Sequence, residues 1–363
     1  MFSLGYQIQL AIVVSALIAL VMVPILRDPA FKMNLVDRPG GRKRHYGAVP
    51  LSGGLAIFVA FIFSAMMMGT SLQPYASLLV GMAVMLATGL LDDLVEISPG
   101  VKMAAQVLAA LLMVSWGQVQ ITDLGMIVGV KPIELGEWAI PFTVLCVLVL
   151  INAINMIDGS DGLAGSLVAV MLVMFFTLTL MGGAERELSG IIALLLAAVL
   201  AFLVYNFRFR QSRQARVFLG DSGSLMLGYA VAWLAVYISQ HPEGVGAPPI
   251  IIAWILLLPA LDVLVLFIRR VMRGRSPFSA DSEHLHHVLL RSGFSVRSTV
   301  LMLVVVTAGF GCFGIYAWQN EWPEYWLFAA TFPVFCLHYL ASIRAWRVVR
   351  VMRIVRQRLK RDG

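Results

Sequence analysis

Eleven runs of apolar residues follow one another along this 363-residue chain and leave little sequence for anything else. They centre on residues 7–26, 51–68, 75–91, 102–117, 138–154, 164–181, 188–205, 222–239, 248–268, 298–318 and 324–343. A helix needs about 17–25 predominantly apolar residues to cross a bilayer. With 60% hydrophobic and only 13% charged residues, the composition is far from that of a soluble domain. The pattern predicts an all-α, polytopic integral membrane helix bundle of about eleven transmembrane helices. It forms a single membrane domain over 1–343, followed by a basic tail over 344–363. No basic segment precedes the first run, and Arg27 and Lys32 follow it, so it reads as an anchor and not as a removable leader. Cys146, Cys312 and Cys336 lie inside apolar runs without metal or redox spacing and read as packing residues.

The net charge of +7 gains meaning from its placement. Of the 27 Lys and Arg residues, all but Lys131 and Arg186 fall in 27–50, 92–102, 207–221, 269–297 and 344–363. Cytoplasmic loops carry the excess of Lys and Arg. The expectation is an amino terminus outside, a carboxyl terminus inside in the cytoplasm, and the chemically rich loops on the cytoplasmic face of the membrane. Charge spread over loops between spans excludes a nucleic-acid-binding reading. In the tail, Arg recurs at 344, 347, 350, 353 and 356 among apolar residues. That suits either a basic interfacial helix against anionic membrane lipid or a plain positive anchor.

The stretch "INAINMIDGSDGLAGS" (151–166) closes the fifth run and spaces Asn152, Asn155, Asp158 and Asp161 three apart. Acids recur at the same face from other runs. Asp92 and Asp93 end the third, Asp221 precedes the eighth, and Asp262 lies in the inner part of the ninth. Five or more carboxylates brought together there would repel unless a cation neutralised them, and hard oxygen ligands suit Mg²⁺ or Mn²⁺. Arg42, Lys43, Arg44, Lys102, Arg208, Arg269, Arg270 and Arg273 share the face with His284, His286 and His287. An acidic metal pocket ringed by cations is what phosphoryl transfer between two anions requires.

Blander readings stand beside each motif. Paired aspartates at a helix end are often only a solvated terminus, and Asn residues serve as interhelical glue. "HLHH" (284–287) lacks a second cluster to complete a zinc site. "GDSGS" (220–224) is a common helix start as well as a natural anion site. A membrane transporter is the competing class. It should place ionisable groups near the bilayer midplane, and only Asp262 lies partly inside a run.

Taken in order, "LVDRPGGRKRHYGAVPLSGG", "LLDDLVE", "NAINMIDGSDGL", "RVFLGDSGS" and "SPFSADSEHLHH" resemble the polyprenyl-phosphate N-acetylhexosamine-1-phosphate transferases. The resemblance spans residues 34 to 295, and the "HLHH" loop is similar to that of the WecA group. It implies a bacterial inner-membrane protein with a periplasmic amino terminus, and a reaction in which a UDP-N-acetylhexosamine and undecaprenyl phosphate give polyprenyl-pyrophosphate-sugar and UMP, with Mg²⁺ or Mn²⁺ as cofactor. GlcNAc is the donor sugar implied first, with FucNAc or QuiNAc as alternatives, and a homodimer is left open. Residue by residue, the resemblance makes Asp221 the metal ligand with Asn155 beside it. It places Asp92, Asp93 and Lys102 at the lipid phosphate and the reacting groups. Asn152, Asp158, Asp161, Gly162 and Phe218 fall on the nucleotide side. Asn206, Arg270, His284, His286 and His287 fall on the sugar-phosphate side, and Asp37 and Glu96 are secondary. Glu96 stands where the WecA group usually has Asp, and Ser282 where relatives often carry a basic residue.

Overall fold

Where no water competes for backbone groups, an apolar run satisfies its own hydrogen bonds as a helix, and each of the eleven runs is helical. The computed structural model describes residues 4–38, 47–129, 131–208, 214–272, 274, 284–343 and 349–350. Arg42, Lys43, Arg44, Arg273, Ser282 and nearly all of the basic tail lie outside them. In chain order the elements begin with α1 (Leu4–Ile25), α2 (Arg27–Lys32), β1 (Val36–Asp37), β2 (Val49–Pro50), α3 (Gly53–Met66), α4 (Ala76–Val95) and α5 (Pro99–Ser115). Next come α6 (Ala139–Ile157), α7 (Leu163–Met181), α8 (Arg186–Asn206) and α9 (Gly220–Gln240). The last are α10 (Pro249–Ile255), α11 (Leu257–Met272), α12 (Leu285–Arg291), α13 (Val296–Gln319) and α14 (Glu324–Ile343).

Among the described residues, eight helices are long and apolar enough to cross a membrane, and the bent pair α10–α11 makes a ninth. The remaining two runs form helices too short for a perpendicular crossing. Helix α3 has 14 residues and α5 has 17, below the ~20 residues a perpendicular crossing needs. Each has a definite boundary at its start. Residues 49 and 50 pair with β1 in antiparallel register, Val36 opposite Pro50 and Asp37 opposite Val49. Ser98 caps α5 through the Val101 N–H, with Pro99 as its first residue. The ninth run is not one straight helix either. It bends by 81° between α10 and α11. Pro259 has no N–H for the carbonyl four residues back and its ring crowds that position, which is Ile255, the last residue of α10.

Helix α9 forms the centre of the bundle, with nearly every residue from Ser222 to Ile238 buried. Helices α3, α4, α6, α7 and α10 pack around it. At its far end Tyr229 Oη donates to the Ser77 carbonyl (2.9 Å) and Trp233 Nε1 donates to Ser77 Oγ (2.9 Å). At its amino end α4 approaches closely, because Gly89 has no side chain. A Cβ there would lie 2.3 Å from the Ser222 backbone. Small residues let helix backbones meet in membrane bundles, and this contact sets the acidic end of α4 against the first turn of α9.

Candidate active site

The first turn of a helix leaves its N–H groups without internal partners. For α9 two of those groups are satisfied from outside the helix. Gly220 turns the chain at φ +76°, a conformation that suits glycine. Asp93 then accepts from the Asp221 N–H (2.9 Å) through Oδ1 and from the Ser222 N–H (3.1 Å) through Oδ2. Asp93 is therefore an N-cap supplied by α4. Its neighbour Asp92 points elsewhere. Oδ1 accepts from the Ile97 N–H (3.0 Å), and Oδ2 pairs with the Lys102 ammonium. Lys102, on the first turn of α5, also reaches Asp221 Oδ2 at 2.9 Å. The other oxygen of Asp221 accepts from Asn155 Nδ2 (3.1 Å), which donates as well to Ser224 Oγ (2.8 Å). Four helix ends thus meet on one ammonium and two carboxylates.

The 158–162 loop is braced beside this cluster. Asp161 Oδ2 accepts from Arg208 Nε (2.7 Å) and from the Ala215 N–H (2.7 Å). Asn206 is buried; its Oδ1 accepts from the Gly162 N–H (2.8 Å) and its Nδ2 donates to the Val217 carbonyl (2.8 Å). Its carboxamide ties the loop to the segment before α9. Asn152 Nδ2 donates to Gln106 Oε1 and to the Leu148 carbonyl (both 2.8 Å). Only Asn152 and Asn155 of the ladder share a helix, since α6 ends at Ile157. Burial, reinforced by the charges of Asp221, Asp93 and Asp161, pushes the Asp158 pKa well above the usual carboxylate range. Phe218 is half-buried, and its backbone bonds Pro50 and Gly53. Asp37 is half-buried in β1, and Glu96 is exposed in the left-handed turn that ends α4.

The histidine segment closes over the same loop. Asp262, buried on α11, accepts from His284 Nδ1 (2.8 Å) and from the Leu285 N–H (3.1 Å). His286 is 2% exposed, its ring centroid lies 4.1 Å from that of His287, and Nε2 lies 2.8 Å from where a Gly159 Cβ would stand. That Nε2 has no hydrogen-bond partner among the described residues. Arg270 is buried at the end of α11. Burial, then the neighbouring His287 and His284, drive the His286 pKa down to about 3 against the pull of Asp262. The native imidazole is neutral, whereas an unfolded one takes up a proton below about 6.5. The stabilisation is complete above that value and declines as pH falls toward the native pKa. By about pH 5.5 the loss is on the order of 1 kcal/mol. The thermal midpoint in detergent should fall between about pH 7.5 and 5.5, and His286→Gln should flatten that slope.

The expected convergence of five or more carboxylates on one metal ion is corrected by the structure. Among the described residues, no three His, Cys, Asp or Glu side chains converge as a metal site. The acids are divided among partners: Asp93 on backbone N–H groups, Asp161 on Arg208, Asp262 on His284, and Asp92 with Asp221 on Lys102. A dedicated protein cage is therefore not present among them. Mg²⁺ commonly takes one or two carboxylates and completes its shell with water and phosphate oxygens. The Asp92–Asp221 pair, already shared by one cation, fits that ion. Sequence reading missed Gln106 and Ser224, which hold the two asparagines. A glutamine inside an apolar helix, four residues after Lys102, was the available signal for the first.

Helical spans around one charged, phosphate-suited end define a polytopic membrane protein with a polar site at its helix termini. The model of glycosyl transferase family 4 matches residues 75–239. An undecaprenyl-phosphate alpha-N-acetylglucosaminyl 1-phosphate transferase of Escherichia coli K12 is 32% identical over 341 residues, covering 93% of this chain and 91% of the relative. Proteins of the same name from Salmonella typhi and Haemophilus influenzae are 31% and 33% identical, covering 94% and 97% of this chain and 93% and 99% of theirs. The chain belongs to glycosyl transferase family 4. Its apolar helices and these relatives make it a multi-pass protein of the bacterial inner membrane.

Proposed function

We propose that the chain transfers N-acetylglucosamine 1-phosphate from UDP-GlcNAc to undecaprenyl phosphate and releases UMP, with the site on the cytoplasmic face. The observation that carries the reading is the junction of Asp92, Lys102 and Asp221 in a chain whose relatives bear that activity in their name. In the reaction, an oxygen of the lipid phosphate becomes bonded to the sugar-bearing phosphorus, and the bond from that phosphorus to the oxygen of UMP breaks. A phosphate monoester has its second pKa near about 6 and is mostly dianionic at neutral pH. Positioning is therefore worth more than a strong base.

Lys102 is placed to meet phosphate oxygens, and leaving Asp221 for them frees that carboxylate for a cation. Asp92 and Asp221 would hold Mg²⁺, with the carboxamide oxygen of Asn155 beside them. Bound there, Mg²⁺ supplies charge neutralisation of the pyrophosphate. The 158–162 loop, held rigid by Asn206 and Arg208, takes the nucleoside side. His286 presents a neutral Nε2 to the sugar-phosphate side. Arg270, at the end of α11, adds positive charge there.

The test is purified protein in detergent with undecaprenyl phosphate and a panel of UDP-N-acetylhexosamines, with and without Mg²⁺. UMP and a lipid-pyrophosphate-sugar should form with UDP-GlcNAc and stop on chelation. Release of no UMP with any donor would overturn the reaction. Full turnover in chelator would overturn the ion.

A further inference from the structure

Helix α14 begins at Glu324, well beyond the end of the family-matched segment at residue 239, and lies largely open to its surroundings. Only Leu327 and Ser342 of it are buried. It nevertheless makes two polar contacts with α11 deep in an apolar setting. His338 Nε2 lies 3.4 Å from Asp262 Oδ1, with both side chains at most 10% exposed. Arg269 Nη1 donates to Ser342 Oγ (2.7 Å) and to the Ser342 carbonyl (3.0 Å). The spacing is self-consistent. His338 and Ser342 are four apart on α14, and Asp262 and Arg269 are seven apart on α11, so each pair lies on one helix face. Polar groups buried within a membrane bundle need a partner, and their bonds fix which faces meet.

Asp262 is the pivot of this arrangement. One oxygen accepts from His284 Nδ1, and the other accepts from the Leu285 N–H and faces His338. The carboxylate therefore fixes the start of α12 and the plane of the His284 ring. That ring lies nearly parallel to His286 (18° between planes), and His286 abuts Gly159. A continuous set of contacts leads from the last helix to the loop on the nucleotide side.

We propose that His338 is a positioning residue for the histidine segment. Acting through Asp262, it holds His284 and α12 in the orientation that sets His286 against the 158–162 loop, so the last helix is a working part of the donor site. A second-sphere carboxylate that orients a histidine is a familiar device in other sites. In this one the carboxylate is itself oriented by a residue from a separate helix. The link to donor sugar-phosphate binding rests on the function proposed above, but the link to the position of α12 does not.

The experiment pairs His338→Ala with His338→Gln in the full chain. Hydrogen–deuterium exchange of 285–291 should quicken at least about threefold in His338→Ala. Exchange in α9 should stay as in the wild type. KM for the UDP-sugar should rise about tenfold with KM for the polyprenyl phosphate within about twofold. His338→Gln keeps a side-chain N–H donor of similar reach and should recover most of both effects. If His338→Ala does not fold, Ser342→Ala, which removes only the Arg269 side-chain contact, should give the same changes in smaller measure. Unchanged exchange at 285–291 in a folded variant overturns the proposal. Quickened exchange with wild-type protein that releases no UMP would retain the positioning role and reject the reaction instead. Equal rises in both KM values would also overturn it, by marking a general loss of structure.

Discussion

Asp221→Asn should lower the initial rate of UMP release by about 10²–10³-fold, the loss typical of removing one preorganised charge-stabilising group, while the protein stays folded. The substitution is chosen for what it preserves. Asn has the size of Asp, its Oδ1 still accepts from Asn155 Nδ2 (3.1 Å in the native chain), and the backbone N–H still donates to Asp93. The negative charge facing Lys102 at 2.9 Å is lost, and with it the acceptor, since the amide Nδ2 standing there would face the ammonium as a second donor. The cation that Asp92 and Asp221 share then has one carboxylate instead of two, so any divalent ion bound there loses a principal ligand. The half-saturating Mg²⁺ concentration should rise together with the fall in rate. Thermal midpoint and elution volume should match the wild type. A rate within about tenfold of wild type, at matched Mg²⁺, would show that the reacting phosphates do not depend on this carboxylate.

The sequence made some of this legible and hid the rest for physical reasons. The eleven apolar runs were readable because hydropathy is additive along a chain and a bilayer fixes the length it must reach. The bend before α11 was less so. Pro259 was visible, but only the packing of the bundle decides whether a proline bends a span or is absorbed. The start of α3 depended on β2, whose partner β1 is a dozen residues earlier. The motif residues were readable as chemistry by type and order. What each one touches was not, because that depends on helix rotation and on which helix end faces which. Asn206 shows the difference. The resemblance placed it with the sugar-phosphate, whereas both ends of its carboxamide are taken up by Gly162 and Val217. The pairing of Asp262 with His338 was hidden for the same reason, since 76 positions separate the two in the chain.

Asp92 and Asp93 carry that lesson into a measurement. As a dipeptide they are indistinguishable, but successive residues on a helix point roughly 100° apart, and the two carboxylates do different work. Asp93→Ala should remove both acceptors of the α9 first turn. Hydrogen bonds to a charged group contribute about 1.5–3 kcal/mol each, and an uncapped helix start costs about 0.5–2 kcal/mol. The midpoint in detergent should therefore fall by several degrees, at roughly 2 °C or less per kcal/mol, since about 2–4 °C holds for domains shorter than this chain. Activity should fall with it, because the same turn carries Asp221. Asp92→Asn should behave in the opposite way. Its Oδ1 still accepts from the Ile97 N–H, so the midpoint should stay near wild type. The site meanwhile loses the charge that faces Lys102, and turnover should drop about 10²–10³-fold. Asp93→Asn should fall between, since one of its two side-chain ends would oppose a backbone N–H with another donor. Thermal melts and UMP release on the three variants side by side decide the matter. Equal midpoint losses for Asp92→Asn and Asp93→Ala would mean that the two carboxylates do not divide capping from chemistry.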